Sequence, residues 1–208
     1  MNAHIRQDLL TTPPSRAGWY RDFAQAGATR YWAALARILL GFVFLWAFLD
    51  KNFGLEYTTA ADQDWSFGSG DGDPTYGFLT FGTNPEGPLA DFFTDLRSSG
   101  IDPNHWTNWL FMAGLLGIGL ALILGIFMRI GAISGVIMLI LMYLAESPWA
   151  NTIDPETGQG AFNNPVVDDH IVYAVVLIML MLFGAERTLG LGKFWESTGL
   201  VKRVPFLA

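Results

Sequence analysis

Six ionisable side chains, Asp50, Lys51, Glu146, Asp168, Asp169 and His170, sit at the ends of long apolar runs in this chain. A charge inside a membrane span costs about 2.5 to 3.5 kcal/mol at the helix centre and less near its ends, so each of these groups needs a reason to be there. An imidazole among carboxylates forms a proton-exchange set, because histidine titrates near neutral pH and a neighbouring carboxylate fixes its tautomer. Arg37, Gly41, Phe44, Phe48 and Lys51 follow one another at intervals of four, three, four and three, a helical stripe with a cation at each end and aromatics between. Tyr143 stands one turn before Glu146, and Tyr173 one turn beyond Asp169 and His170. Together these residues describe an aromatic-walled cleft with a charged rim, which suits a flat ring carrying oxygens.

The expected occupant is a quinone, either menaquinone or ubiquinone. Lys51, Asp169 and His170 form the expected catalytic set: Lys51 or His170 donates to a quinone oxygen while Asp169 holds the imidazole. Arg37, Phe48, Lys51, Tyr143, Glu146, His170 and Tyr173 form the expected binding set, with Glu146 relaying protons. A plainer reading stands beside this one. Charges are cheapest at helix ends, Asp168 and Asp169 suit the positive end of a helix dipole, Asp50 and Lys51 make an interfacial pair, and Arg37 can snorkel.

No metal site is expected. Of the three histidines, His4, His105 and His170, only the last stands with carboxylates, a set able to hold a hard or borderline ion, but no HExxH or paired-histidine spacing occurs. The chain has no cysteine, which removes disulfides, thiolate nucleophiles, cysteine-ligated iron-sulfur clusters and attached c-type haem. Redox chemistry here must therefore use a borrowed carrier. No basic stretch interleaved with aromatics points to nucleic acid.

The elements that position these residues are membrane helices. Of 208 residues, 51% are hydrophobic and only 15% charged, too apolar for an ordinary soluble domain. The expected fold is an all-α membrane protein, a four-helix transmembrane bundle over residues 31–191. Its spans lie at about 31–50, 109–128, 130–149 and 168–187, long enough for roughly 30 Å of hydrocarbon once the ends of the fourth snorkel. Arg129 and its neighbours make the tight turn between the second and third spans. Outer loops cover 51–108 and 150–167, and tails cover 1–30 and 192–208. The polar start of the chain is not a signal peptide, so the first span is expected in the mature protein. Small residues at Ala113, Gly117, Ala121 and Gly125, and at Gly131 and Gly135, predict close helix packing.

All but Lys51 and Arg97 of the twelve lysines and arginines fall at one set of span ends. The positive-inside rule then places both termini in the cytoplasm and the two loops outside. Within the first loop, 62–74 reads as irregular, while Leu89, Phe92, Phe93 and Leu96 are spaced as a short amphipathic helix lying on the membrane or over the bundle mouth. Trp19, Tyr20 and Phe23, among Arg16 and Arg21, read as a cytoplasmic interfacial segment.

The run from Arg37 to Gly41 continuing to Asp50, Lys51, Asn52 and Phe53, together with Asn164-Pro165-Val-Val-Asp168-Asp169-His170-Ile-Val-Tyr173, resembles the DoxX/DoxD family. The resemblance extends over about 31–191. It implies a four-span subunit of the prokaryotic inner membrane, linked to quinone-dependent respiratory or sulfur metabolism. DoxD is the membrane part of a thiosulfate:quinone oxidoreductase and works beside a second polypeptide, so a quinone, membrane lipid and other subunits of a redox or respiratory complex are the expected partners. The chain shows no appended soluble domain of that kind. A non-catalytic anchor that stabilises such a complex is the alternative, and a small-solute transporter a weaker one, since no inverted halves are evident.

Overall fold

The computed structural model describes residues 27–150 and 164–207, and among them the chain is helical without strands. The expected interfacial segment at Trp19 to Phe23 and most of the second loop lie outside these residues. Four helices pack around one apolar core: α1 (Gly27–Phe53), α3 (Trp106–Leu124), α4 (Met128–Glu146) and α5 (Asp169–Leu182). Leu40, Phe44, Met112, Ile118, Leu122, Leu139 and Leu177 meet at its centre. Leu39, Leu110, Ile137 and Leu182 point outward and stay exposed, so the helices are apolar on both faces, as helices in lipid are. α1, α3 and α4 are each long and apolar enough to cross a membrane, and the chain is a multi-pass membrane protein. α5 has 14 residues, roughly 21 Å of rise, and is shorter than the expected fourth span of 168–187.

Glycines set the closest approaches. A methyl group on Gly41 would lie 2.8 Å from Leu122 Cβ, and one on Gly119 would lie 2.8 Å from the backbone nitrogen of Leu45, so α1 and α3 touch nearly backbone to backbone. Gly135 receives Leu177 of α5, and Gly131 meets Ala121. The expected stripe on α3 is only partly a packing seam. Gly117 has nothing within 4 Å, and Gly125 is the left-handed residue, φ 71°, that ends the helix. This cap also moves the turn: it falls at 125–127, before α4 begins at Met128, and Arg129 lies within α4.

The first loop is a folded cover. Trp65 is buried, donates from Nε1 to Pro103 O at 2.7 Å and meets Trp109 edge-on at 4.8 Å. The stretch 62–74, expected to be irregular, holds two short 3₁₀ turns around this tryptophan. Asn108, fully buried at the start of α3, accepts from Thr75 N and Oγ1 and donates to Asp102 O. The amphipathic stretch forms α2 (Ala90–Leu96), whose Phe93 is buried with Leu79 against Ala145 at the end of α4. Of the two placements expected for α2, it takes the one over the bundle.

The opposite end is closed by the segment after α5. Two short helices, α6 (Gly192–Ser197) and α7 (Gly199–Arg203), form where a tail was expected. Trp195 packs tilted against Phe127 of the α3–α4 turn at 4.3 Å and donates to Leu207 O.

Candidate functional site

Glu146 is the last residue of α4, and the residue after it, Ser147, turns the chain with φ 47°. Asp168 is the N-cap of α5, its Oδ1 accepting from Ile171 N at 3.1 Å. The cap fixes Oδ2 as well, and this atom lies 2.8 Å from Nδ1 of His170, which is 8% exposed. Asp169 Oδ1 stands 3.7 Å from the same nitrogen and Glu146 Oε2 stands 3.9 Å from it. Three carboxylates thus surround one imidazole nitrogen, and Nε2 has no hydrogen-bond partner among the described residues. The nearest carboxylate is Asp168, not Asp169. Asp169 points outward, with its side chain 69% exposed, because the first residue inside a helix lies away from the cap. The orienting role expected of Asp169 therefore falls to Asp168.

Such an arrangement can take up and release protons. A carboxylate accepting from Nδ1–H leaves Nε2 as the acceptor atom of the neutral ring. Glu146, Asp168 and His170 also form the one group among the described residues with metal-binding geometry, each offering a ligand atom within 4.8 Å of the others.

The remaining expected residues divide between this end and other tasks. Tyr143 donates to Val166 O at 2.7 Å and tilts against Trp149, which tethers the segment leading into Asp168. Tyr173 packs half-buried against the core. Phe48 is buried and meets Phe67 of the cover at 6.1 Å, so its ring is already occupied by protein. Asp50 accepts from Tyr57 N, Thr58 N and Thr58 Oγ1 and holds the start of the cover, with Lys51 interacting electrostatically beside it. Lys51 is half-buried at the same end, and its ammonium forms no ion pair with the three carboxylates.

Arg37 belongs to the opposite end. It is fully buried, and its guanidinium donates to Leu122 O, to Ile123 O at 3.0 Å, to Thr188 O at 3.3 Å and to Leu189 O at 2.8 Å. The last turn of a helix leaves carbonyls without partners, and its dipole favours a cation there. Arg37 meets both needs for α3, while Leu191 N takes the carbonyl of Leu124. It is a clamp joining α1, the end of α3 and the segment after α5, and not part of a ligand cleft with His170.

A DoxX family model matches residues 32–147, more than half of the chain. This chain belongs to the DoxX family. No curated protein and no solved structure matches it. The matched DoxX region runs from the start of α1 through Glu146 and contains Arg37 with its α3 acceptors, the folded cover and one member of the histidine cluster. It stops before α5, so Asp168, Asp169 and His170 lie beyond the match. The sequence did not reveal the structural roles of Asn52, Trp65 and Asn108. Asn52 accepts from Phe67 N, and both asparagines are fully buried next to an apolar run, where a polar side chain requires hydrogen-bond partners.

Proposed function

We propose that this DoxX-family protein is the membrane subunit of a quinone-linked redox system, and that the His170 cluster exchanges protons with the quinone at the outer face of a prokaryotic inner membrane. The observation that carries the reading is the buried imidazole held at 2.8 Å by a helix-capping carboxylate, with two further carboxylates within 4 Å. Reducing a quinone to its quinol takes two electrons and two protons. His170 Nε2 and Glu146 stand as the proton carriers, and Lys51 stands as donor to the second quinone oxygen. The electrons come from a partner subunit or a small sulfur compound, since the chain has no cysteine to hold a cluster. The topology in this reading is four spans with both termini inside. α5 then crosses with Asp168, Asp169 and the segment after Leu182 extending its reach, and the ten basic residues that the sequence assigns to one set of span ends face the cytoplasm.

A second reading, a non-catalytic anchor for a larger complex, draws on the cover. Tyr57 and Phe81 stand exposed on a loop that is otherwise tied down, a surface suited to another chain.

The test is quinone content and turnover in protein purified with its native lipid. Wild type is expected to retain quinone, and His170→Asn with Glu146→Gln to lose proton-coupled reduction by about a hundredfold, the range of general acid-base catalysis. Normal quinone retention and turnover in that double variant ends the proposal, and stable partner chains on an empty bundle favour the anchor.

A further inference from the structure

We propose that Glu146, Asp168 and His170 bind a divalent first-row transition ion such as Mn²⁺, Fe²⁺ or Zn²⁺. The inference does not rest on the quinone reading.

Three features of the geometry carry it. The first is spacing. Metal–donor distances of about 2.0 to 2.2 Å place two donors of one ion roughly 3 to 3.5 Å apart. Here Nδ1 of His170 lies 2.8 Å from Asp168 Oδ2 and 3.9 Å from Glu146 Oε2, and all three donor atoms fall within 4.8 Å of one another. A side-chain rotation of Glu146 closes the set. The second is charge. Asp168, Asp169 and Glu146 bring three carboxylates to one nitrogen, and no lysine or arginine pairs with them among the described residues. A single imidazolium leaves two negative charges over, and a divalent ion replaces the proton on Nδ1 and neutralises more of them. The third is preorganisation. Asp168 keeps Oδ1 on the backbone of Ile171 while Oδ2 faces the site, so one ligand is oriented by the helix it caps. The buried His170 leaves Nε2 for an outer partner.

The donor set selects the ion class. One imidazole with carboxylates and no thiolate suits Mn²⁺, Fe²⁺ or Zn²⁺ over the soft Cu⁺, and the nitrogen donor disfavours Mg²⁺ and Ca²⁺. Three protein ligands leave open positions, with Asp169 Oδ1 3.7 Å from Nδ1 as a possible fourth. Such an ion would give a chain without cysteine its own Lewis acid or one-electron centre.

The experiment uses the full chain in nanodiscs of synthetic, quinone-free lipid, stripped with chelator and titrated with Mn²⁺ under electron paramagnetic resonance, with Zn²⁺ as competitor. One Mn²⁺ per chain is expected, with an imidazole nitrogen resolved in the electron spin-echo modulation. His170→Asn is expected to remove that nitrogen and weaken binding about a hundredfold, Glu146→Gln to weaken it at least about tenfold, and Glu86→Gln on the exposed cover to leave it unchanged. Binding that is substoichiometric, that lacks the nitrogen signal in wild type, or that persists unchanged in both His170→Asn and Glu146→Gln overturns the site. Because no quinone is present, a negative result leaves the quinone reading to its own assay.

Discussion

The two ends of the bundle each bury an ionisable group, with opposite accounts of charge and hydrogen bonding. At one end, Arg37 faces four carbonyl oxygens on two segments, each a dipole oriented toward it. At the other, Nδ1 of His170 faces three carboxylates, and Nε2 has no hydrogen-bond partner among the described residues. Arg37 turns both terminal nitrogens onto neutral carbonyls at a helix C-terminus, with only Nε unpartnered and the buried Glu186 nearby, which is the pattern of structure. A base among excess anions has a position to fill, which is the pattern of a site. Asp50 sharpens the contrast, since it lies at the His170 end and yet is saturated by three donors of the cover. Depth in the membrane does not separate function from architecture, and the partner set does.

The largest effect expected from breaking this comparison is at Arg37. Arg37→Leu leaves four buried carbonyls without a donor, and a loss of about 3 to 5 kcal/mol follows, enough to deplete the folded protein. Arg37→Lys rescues it poorly, because an ammonium cannot span two segments as a planar fork does. Thermal unfolding in detergent checks both, and a Lys variant as stable as wild type would show that charge alone suffices.

A smaller loss, about 1.5 to 3 kcal/mol, is expected for Asp50→Ala, which removes the buried, charge-assisted acceptor that ties Tyr57 and Thr58 of the cover to α1. Its signature is local. Proteolysis should open the chain near Thr58 while the bundle stays folded, and uniform unfolding would show that the cover and the bundle are one cooperative unit.

The smallest expected effect is at Asp168, where two roles separate. Asp168→Ala removes a helix cap at a cost of about 1 kcal/mol, and Asp168→Ser restores the cap but not the imidazole partner. Nitrogen chemical shifts of His170 should show the fixed tautomer lost in both variants, with stability recovered only in the serine one. An unchanged tautomer in Asp168→Ser would give the orienting role back to Asp169.

Apolar periodicity was enough to locate α1, α3 and α4, and the spacing of Leu89, Phe92, Phe93 and Leu96 located α2. The stripe of Arg37, Gly41, Phe44 and Phe48 was legible as a single face, and it is the buried face of α1. The purpose of that face was not. Arg37 meets carbonyls 85 to 152 residues away, and no spacing rule along one helix reports acceptors on another. The sequence grouped Glu146, Asp168 and His170 at one level, but Glu146 and Asp168 lie on different helices, so their donor spacing waited on the fold. Trp65 lay in a Gly, Ser and Asp rich stretch that reads as irregular, yet its partners, Pro103 and Trp109, come from the far end of the loop and the first turn of α3.

What the sequence determined by itself is the solvent. Half-apolar composition and runs of about twenty residues require lipid around helices that satisfy their own backbone hydrogen bonds, and this property is local to each segment. What only the tertiary structure decided is which buried charge meets backbone carbonyls and which meets other ionisable side chains. The cost of a buried charge depends on the oxygens and nitrogens within about 4 Å of it, and those are gathered from distant parts of the chain only when the helices pack.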